Sequence, residues 1–71
     1  MTLLEVKYSE VQLGDFIKLK EGVKKVVDID CWQTSYSHLP GYGYMYKLWF
    51  ENEEELVYYG WGERTLKKCL M

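Results

Sequence analysis

The side chains able to do chemistry in this 71-residue chain are few: one histidine, His38, two cysteines, Cys31 and Cys69, and the acidic groups Asp28 with Asp30 and Glu51 with Glu53, Glu54 and Glu55. His38 has no Ser, Asp or Cys partner at a spacing that builds a nucleophile and base, so it reads as a solvated loop residue. Cys31 and His38 lack the paired spacing of a structural zinc site. Asp28 and Asp30 fall on one strand face beside Lys24, where they solubilise an outer surface rather than hold a cation. The acids around residues 51–55 describe a solvated hairpin tip, not a buried carboxylate with a raised pKa. Gly41-Tyr42-Gly43 is spaced like a phosphate loop but precedes a strand, so it lacks the amides of a helix end. No catalytic residue, metal ligand or cofactor is assigned, and no enzyme is expected.

The aromatic residues carry more. Seven tyrosines and three tryptophans exceed what a core this small absorbs. Rings left at the surface supply large, rigid contact area at low entropic cost, the property that concentrates binding energy in Tyr and Trp. Residues 41–50 read as the longest strand, with Tyr42, Tyr44, Tyr46, Leu48 and Phe50 on one face and Met45, Lys47 and Trp49 on the other. With both faces largely apolar, this strand is either central in a coiled barrel or has a second face that meets a partner. The candidate interface is Tyr36, His38, Tyr42, Tyr44, Tyr46 and Trp61, joined by the acidic hairpin residues Glu53 and Glu54, with Tyr44 as anchor. The alternative, in which the rings line a barrel and its rim, stays open.

These residues must be positioned by short strands. Leu4, Val6 and Tyr8 alternate with Glu5 and Lys7; Ser9 and Gln12 have the spacing of a capped single turn; Gly14-Asp15 then breaks the chain. Residues 15–20 place Ile17 and Leu19 inward, and Glu21-Gly22 makes a tight turn. Residues 23–32 form a strand with Val23, Val27, Ile29 and Cys31 on one face. Residues 33–41 are the longest loop, with a Pro-Gly turn. A hairpin turn over 51–54 leads into a strand over 55–59, glycines at 60 and 62 break the sheet, and 65–70 forms a last strand. The expected core is Ile17, Leu19, Val27, Ile29, Leu48, Phe50 and Leu56.

The reading is one all-β domain spanning residues 1–71: a small antiparallel sheet of five to six strands, strongly bent or closed into a barrel that removes its edges. Val11-Gln12-Leu13-Gly14-Asp15-Phe16-Ile17-Lys18-Leu19, then Gly22, then Val23-Lys24-Lys25-Val26-Val27-Asp28-Ile29, resembles the opening of a Src-homology-3-like barrel of the Tudor or KOW kind. The Trp49-Phe50-Glu51-Asn52-Glu53 hairpin and the Leu66-Lys67-Lys68 ending are similar to its closing half. The resemblance implies a ligand-binding module and transfers no particular ligand.

The first residues lack the apolar core of a signal peptide, and no run approaches the roughly 18 apolar residues needed to cross a bilayer. A cytoplasmic protein with reduced, mostly buried thiols is expected, contacting no membrane. A net charge of −2 argues against general nucleic-acid affinity. The leading expectation is a protein-binding module, monomeric or homodimeric, in the style of a phage or mobile-element accessory protein that inhibits a host enzyme or defence complex. The alternatives are a single-stranded nucleic-acid binder, with rings stacking on bases and Lys18, Lys20, Lys24, Lys25, Lys67 and Lys68 tracking phosphates, and an aromatic cage for a small ligand or modified lysine beside Asp28 and Asp30.

Overall fold

The computed structural model describes residues 2–40 and 42–70; the side chains of residues 53–55 lie outside the description. Six strands, β1 (Thr2–Lys7), β2 (Phe16–Leu19), β3 (Gly22–Gln33), β4 (Tyr44–Phe50), β5 (Glu53–Trp61) and β6 (Thr65–Leu70), pair antiparallel in one sheet of order β1-β6-β2-β3-β4-β5. The expected all-β class is present, but the sheet is strongly bent rather than closed, with β1 and β5 as its edges. β1 pairs along its whole length with β6, and its other edge takes up no pairing with β5, which would have closed the barrel. The chain leaving β1 turns instead into a 3₁₀ segment, Tyr8–Glu10, whose Tyr8 N–H donates to the Arg64 carbonyl (2.8 Å) and Ser9 N–H to the Gly62 carbonyl (3.3 Å). No helix among the described residues is long and apolar enough to cross a membrane.

The bend has a specific origin. Val26 pairs with Phe50 but Asp28 pairs with Trp49, so Val27 is an extra residue opposite nothing on β4, a bulge that reverses which residues face inward. Val26 is therefore buried (1 % exposed), whereas Val27, expected in the core, is 48 % exposed, and Val23 on the same expected face is also exposed. Val26 is held from both sides: its N–H donates to the Asp15 carbonyl (2.8 Å) and its carbonyl accepts from Gly14 N–H (2.9 Å). Strand β3, not the aromatic strand, is the longest element at 12 residues against 7.

The core cluster is Val6, Tyr8, Val11, Ile17, Leu19, Val26, Leu48 and Phe50, with Ile29, Tyr46, Leu56, Tyr58 and Leu66 partly buried against it. Cys69 is buried as expected for a reduced thiol, but Cys31 is exposed. Capping of the 3₁₀ turn differs from the expected Ser9 and Gln12 pair: the Glu10 carboxylate accepts from Lys7 N–H (2.8 Å), and Gln12 N–H donates to the Asp15 carboxylate (2.9 Å). The β4 to β5 turn is Glu51 and Asn52 alone, with Asn52 left-handed at φ 61°, a conformation Asn tolerates. Gly60 does not break the sheet; β5 runs through it to Trp61, and the break comes at Gly62.

The expected turn glycines are where positive φ is needed, with Gly14 at +90° and Gly22 at +116°. A Cβ on Gly22 would meet nothing within 4 Å, so the cost of Gly22→Val is backbone strain alone. We expect a loss of about 1 kcal/mol or more, against a near-neutral Lys20→Ala. Urea midpoints for the two variants check this, and equal midpoints would contradict it.

Candidate functional site

The loop between β3 and β4 is folded on itself around Thr34. Its N–H donates to the Gly43 carbonyl (3.0 Å), its hydroxyl to the Tyr42 carbonyl, and its Oγ1 accepts from Tyr36 N–H (3.2 Å). Leu39 N–H then donates to the Tyr36 carbonyl (2.9 Å), and Tyr42 N–H to the Leu39 carbonyl (3.1 Å). Two successive turns thus fix where Tyr36 and Tyr42 leave the backbone. The turn after β5 is clamped equally: Gly62 N–H donates to the Tyr44 carbonyl (3.1 Å) and Arg64 N–H to the Trp61 carbonyl (2.9 Å), in addition to the two bonds from the 3₁₀ turn.

These two clamped segments meet through Trp61. Its ring lies edge to face with Tyr42 (centroids 5.0 Å apart, 70°) and with Tyr36 (6.4 Å, 84°). Such pairs contribute about 0.5–1.5 kcal/mol each beyond the area they bury. Tyr36 and Tyr42 are nevertheless 54 % and 44 % exposed. The result is a contiguous, pre-organised aromatic surface. Pro40, Tyr42, Trp61, Glu63 and Arg64 line a hollow of about 570 Å³ there.

Tyr44 and Tyr46 line a different hollow, of about 320 Å³, with Ser9, Ser37, Leu39 and Gly62; Pro40 and Glu63 border both. Tyr44 is half exposed, whereas Tyr46 turns toward the core. A hydrogen bond with Cys31, its cross-strand neighbour, and partial burial together raise the Tyr46 pKa above the ordinary tyrosine value. Glu63 pairs with Lys7 (2.9 Å) and raises the pKa of its ammonium. His38 is exposed on the loop. The side chains of Glu53 and Glu54 are outside the described residues; the strand register sets the start of β5 against Phe50 and its end, Trp61, against Met45, so the acidic turn and the aromatic surface occupy opposite ends of this hairpin.

Among the described residues no three His, Cys, Asp or Glu side chains gather as metal ligands would. The rings that share sheet rows with Asp28 and Asp30 are covered by the chain's own cation: the Lys47 ammonium sits 4.7 Å from the Trp49 ring and 5.2 Å from that of Tyr59. Of the lysines considered for phosphate tracking, all lie on β2, the first part of β3, β6 and the turn at Lys20, not on the half that carries the aromatic surface. Lys67 pairs with Glu5 (2.9 Å) and Lys68 with Asp15 (3.2 Å).

No family model, curated protein or solved structure matches this chain. The site is therefore read from its geometry.

That geometry adds residues that spacing did not single out. Arg64 and Pro40 come to Tyr42 through the fold of the loop and the clamped turn, and no local sequence pattern marks them. Alternation along β3 places Trp32 on the face of Asp28 and Asp30, where the structure has it, whereas Tyr59 joins that face only through the register of β5 with β4.

Proposed function

We propose that this protein is a non-enzymatic protein-binding module that acts by occupying a site on a partner, with Tyr36, Tyr42 and Trp61 as the centre of its surface. The observation that carries the reading is the contiguity of these three rings, Tyr36 and Tyr42 exposed and Trp61 half-buried against them, held by backbone hydrogen bonds from two separate segments. Rigid aromatic anchors lose little entropy on binding, and a cluster of this kind surrounded by polar groups such as Ser37, Glu63 and Arg64 has the anatomy of a binding hot spot. The resemblance to small Src-homology-3-like barrels accords with a binding module. Small size and an acidic, aromatic-rich composition accord with an inhibitor of a host enzyme or defence complex, of the kind phages and mobile elements encode. The nucleic-acid reading is the weaker one, because its lysines and rings lie on different halves of the sheet and Lys67 and Lys68 are held by Glu5 and Asp15.

The test is affinity capture from bacterial lysate followed by titration with the captured partner. Trp61→Ala is expected to keep a native circular dichroism spectrum and lose about 2 kcal/mol or more of affinity, roughly thirtyfold. Tyr44→Ala, on the far side of the ridge made by Pro40 and Glu63, should lose less. A folded Trp61→Ala protein that binds as tightly as the parent would sink the reading. Binding that weakens steeply with salt and is competed by single-stranded nucleic acid would favour the alternative.

A further inference from the structure

The register of β3, β4 and β5 sets out the face of the sheet that points away from Leu48. Asp28, Trp49 and Val57 form one row across the strands, Asp30, Lys47 and Tyr59 the next, and Trp32, Met45 and Trp61 the third. Trp32 and Tyr59 are 41 % and 49 % exposed, Met45, Lys47, Trp49 and Val57 are half-buried, and Trp61, at the β5 end of the third row, carries the Tyr36 and Tyr42 rings. Lys47 stands at its centre on two rings. Among the described residues the ion pairs join Lys7 to Glu63, Lys67 to Glu5 and Lys68 to Asp15, and none reaches Lys47. Asp30, its row neighbour, is exposed, and one of its carboxylate oxygens accepts from Cys31 N–H (2.9 Å).

We propose that this face docks a second copy of the chain about a two-fold axis parallel to the strands and lying between β3 and β4, with Lys47 of each copy against Asp30 of the other. The charge pattern selects this arrangement. A two-fold axis crossing the strands at Lys47 would set the two ammonium groups against each other. An axis between β3 and β4 instead sets each β3 residue against its β4 row neighbour in the other copy. That makes two reciprocal pairs of Lys47 with Asp30 and two contacts of Trp32 with Met45, a favourable sulfur and aromatic combination. It also keeps the strands of the two sheets nearly aligned, as twisted sheets packed face to face prefer. Asp28 stands in the end row of the patch, against Trp49 of the other copy.

The patch involves Asp28, Asp30, Trp32, Met45, Lys47 and Trp49, fewer than the roughly 20–30 residues a side of a standard interface, so the dimer is weak and forms at high protein concentration. The axis leaves β5 and the loop outside the contact. Tyr36 and Tyr42 lie outside it and Trp61 borders it beside Met45, so the two proposals are separated by their variants, Trp61→Ala above and Asp30→Lys here.

Sedimentation equilibrium of the full chain over a wide concentration range tests it. The weight-average mass is expected to rise from 8.5 kDa toward twice that value. Lys47→Glu and Asp30→Lys should each remain monomeric, since each sets like charges together. The double variant, which reverses the pair, should regain association. A parent that stays monomeric throughout would overturn the proposal and leave the face to an unrelated partner. So would undiminished association of folded Asp30→Lys protein, or a folded double variant that stays monomeric.

Discussion

Gly60→Ala is expected to cost about 3 kcal/mol, because among the described glycines it is the one where a methyl group meets the closest contacts. A Cβ built on Gly60 would stand 2.5, 2.6 and 2.8 Å from three carbons of the Tyr8 ring, far inside van der Waals contact. The ring cannot retreat. Tyr8 is 2 % exposed, and its own N–H is bonded to Arg64 while the next, Ser9 N–H, is bonded to Gly62, so the 3₁₀ turn is fixed to the segment that follows β5. Burial of the ring also raises the Tyr8 pKa, with opposing attraction from Arg64. Relief therefore requires breaking those backbone bonds or displacing β5, and either loosens the turn that carries Trp61, Glu63 and Arg64. A double-mutant cycle with Tyr8→Leu isolates the contact. Shortening the ring should make Gly60→Ala cheaper by about 1–3 kcal/mol than it is in the parent, and equal costs in both backgrounds would show that Tyr8 does not rest on Gly60.

That contact illustrates what a sequence read locally can and cannot convey. Gly14 and Gly22 were legible because their role is local: each sits between strand patterns and adopts the positive φ that a turn demands. Gly60 belongs to another class. Its lack of a side chain serves a ring 52 positions earlier in the chain, and in sequence it cannot be told from the turn-forming Gly62 beside it. The bulge at Val27 escaped for a related reason. Two adjacent valines both fit a strand, alternation from Ile29 points to Val27, and only the partner strand reveals that one residue is surplus. The open sheet follows from pairing partners, which alternation along one strand does not specify. For the site, an excess of rings over what the core absorbs was readable from composition, but not which of them stay exposed, Tyr36, Tyr42 and Tyr44, and which is half-buried, Trp61. Their meeting depends on the Thr34 hydrogen bonds and on the clamped turn at residues 62–64, which are tertiary.

Leu48→Ala should cost about 2–5 kcal/mol, while Val27→Ala changes stability by less than about 0.5 kcal/mol. Leu48 is completely buried at the middle of β4, between Ile29 on β3 and Tyr58 on β5, with Phe50 two positions on. Phe50 and Tyr58 meet edge to face at 5.6 Å, so the walls around Leu48 are aromatic rings tied to one another and collapse into the vacated space is restricted. The loss combines the transfer free energy of the deleted carbons with the cavity they leave. For a chain of 71 residues the whole stability is on the order of 4–10 kcal/mol, so this one truncation can leave a substantial unfolded fraction at room temperature. Ile29→Ala, at a partly buried position beyond the bulge, should fall between the two. Val27 is the discriminating comparison, because simple alternation along β3 places it beside Ile29 in the core whereas the bulge puts it in solvent. Denaturant unfolding ranks the three variants. A Val27→Ala protein as damaged as Ile29→Ala would mean that β3 runs without its bulge, which would turn Val26 out of the core to the face that carries Asp28 and Asp30.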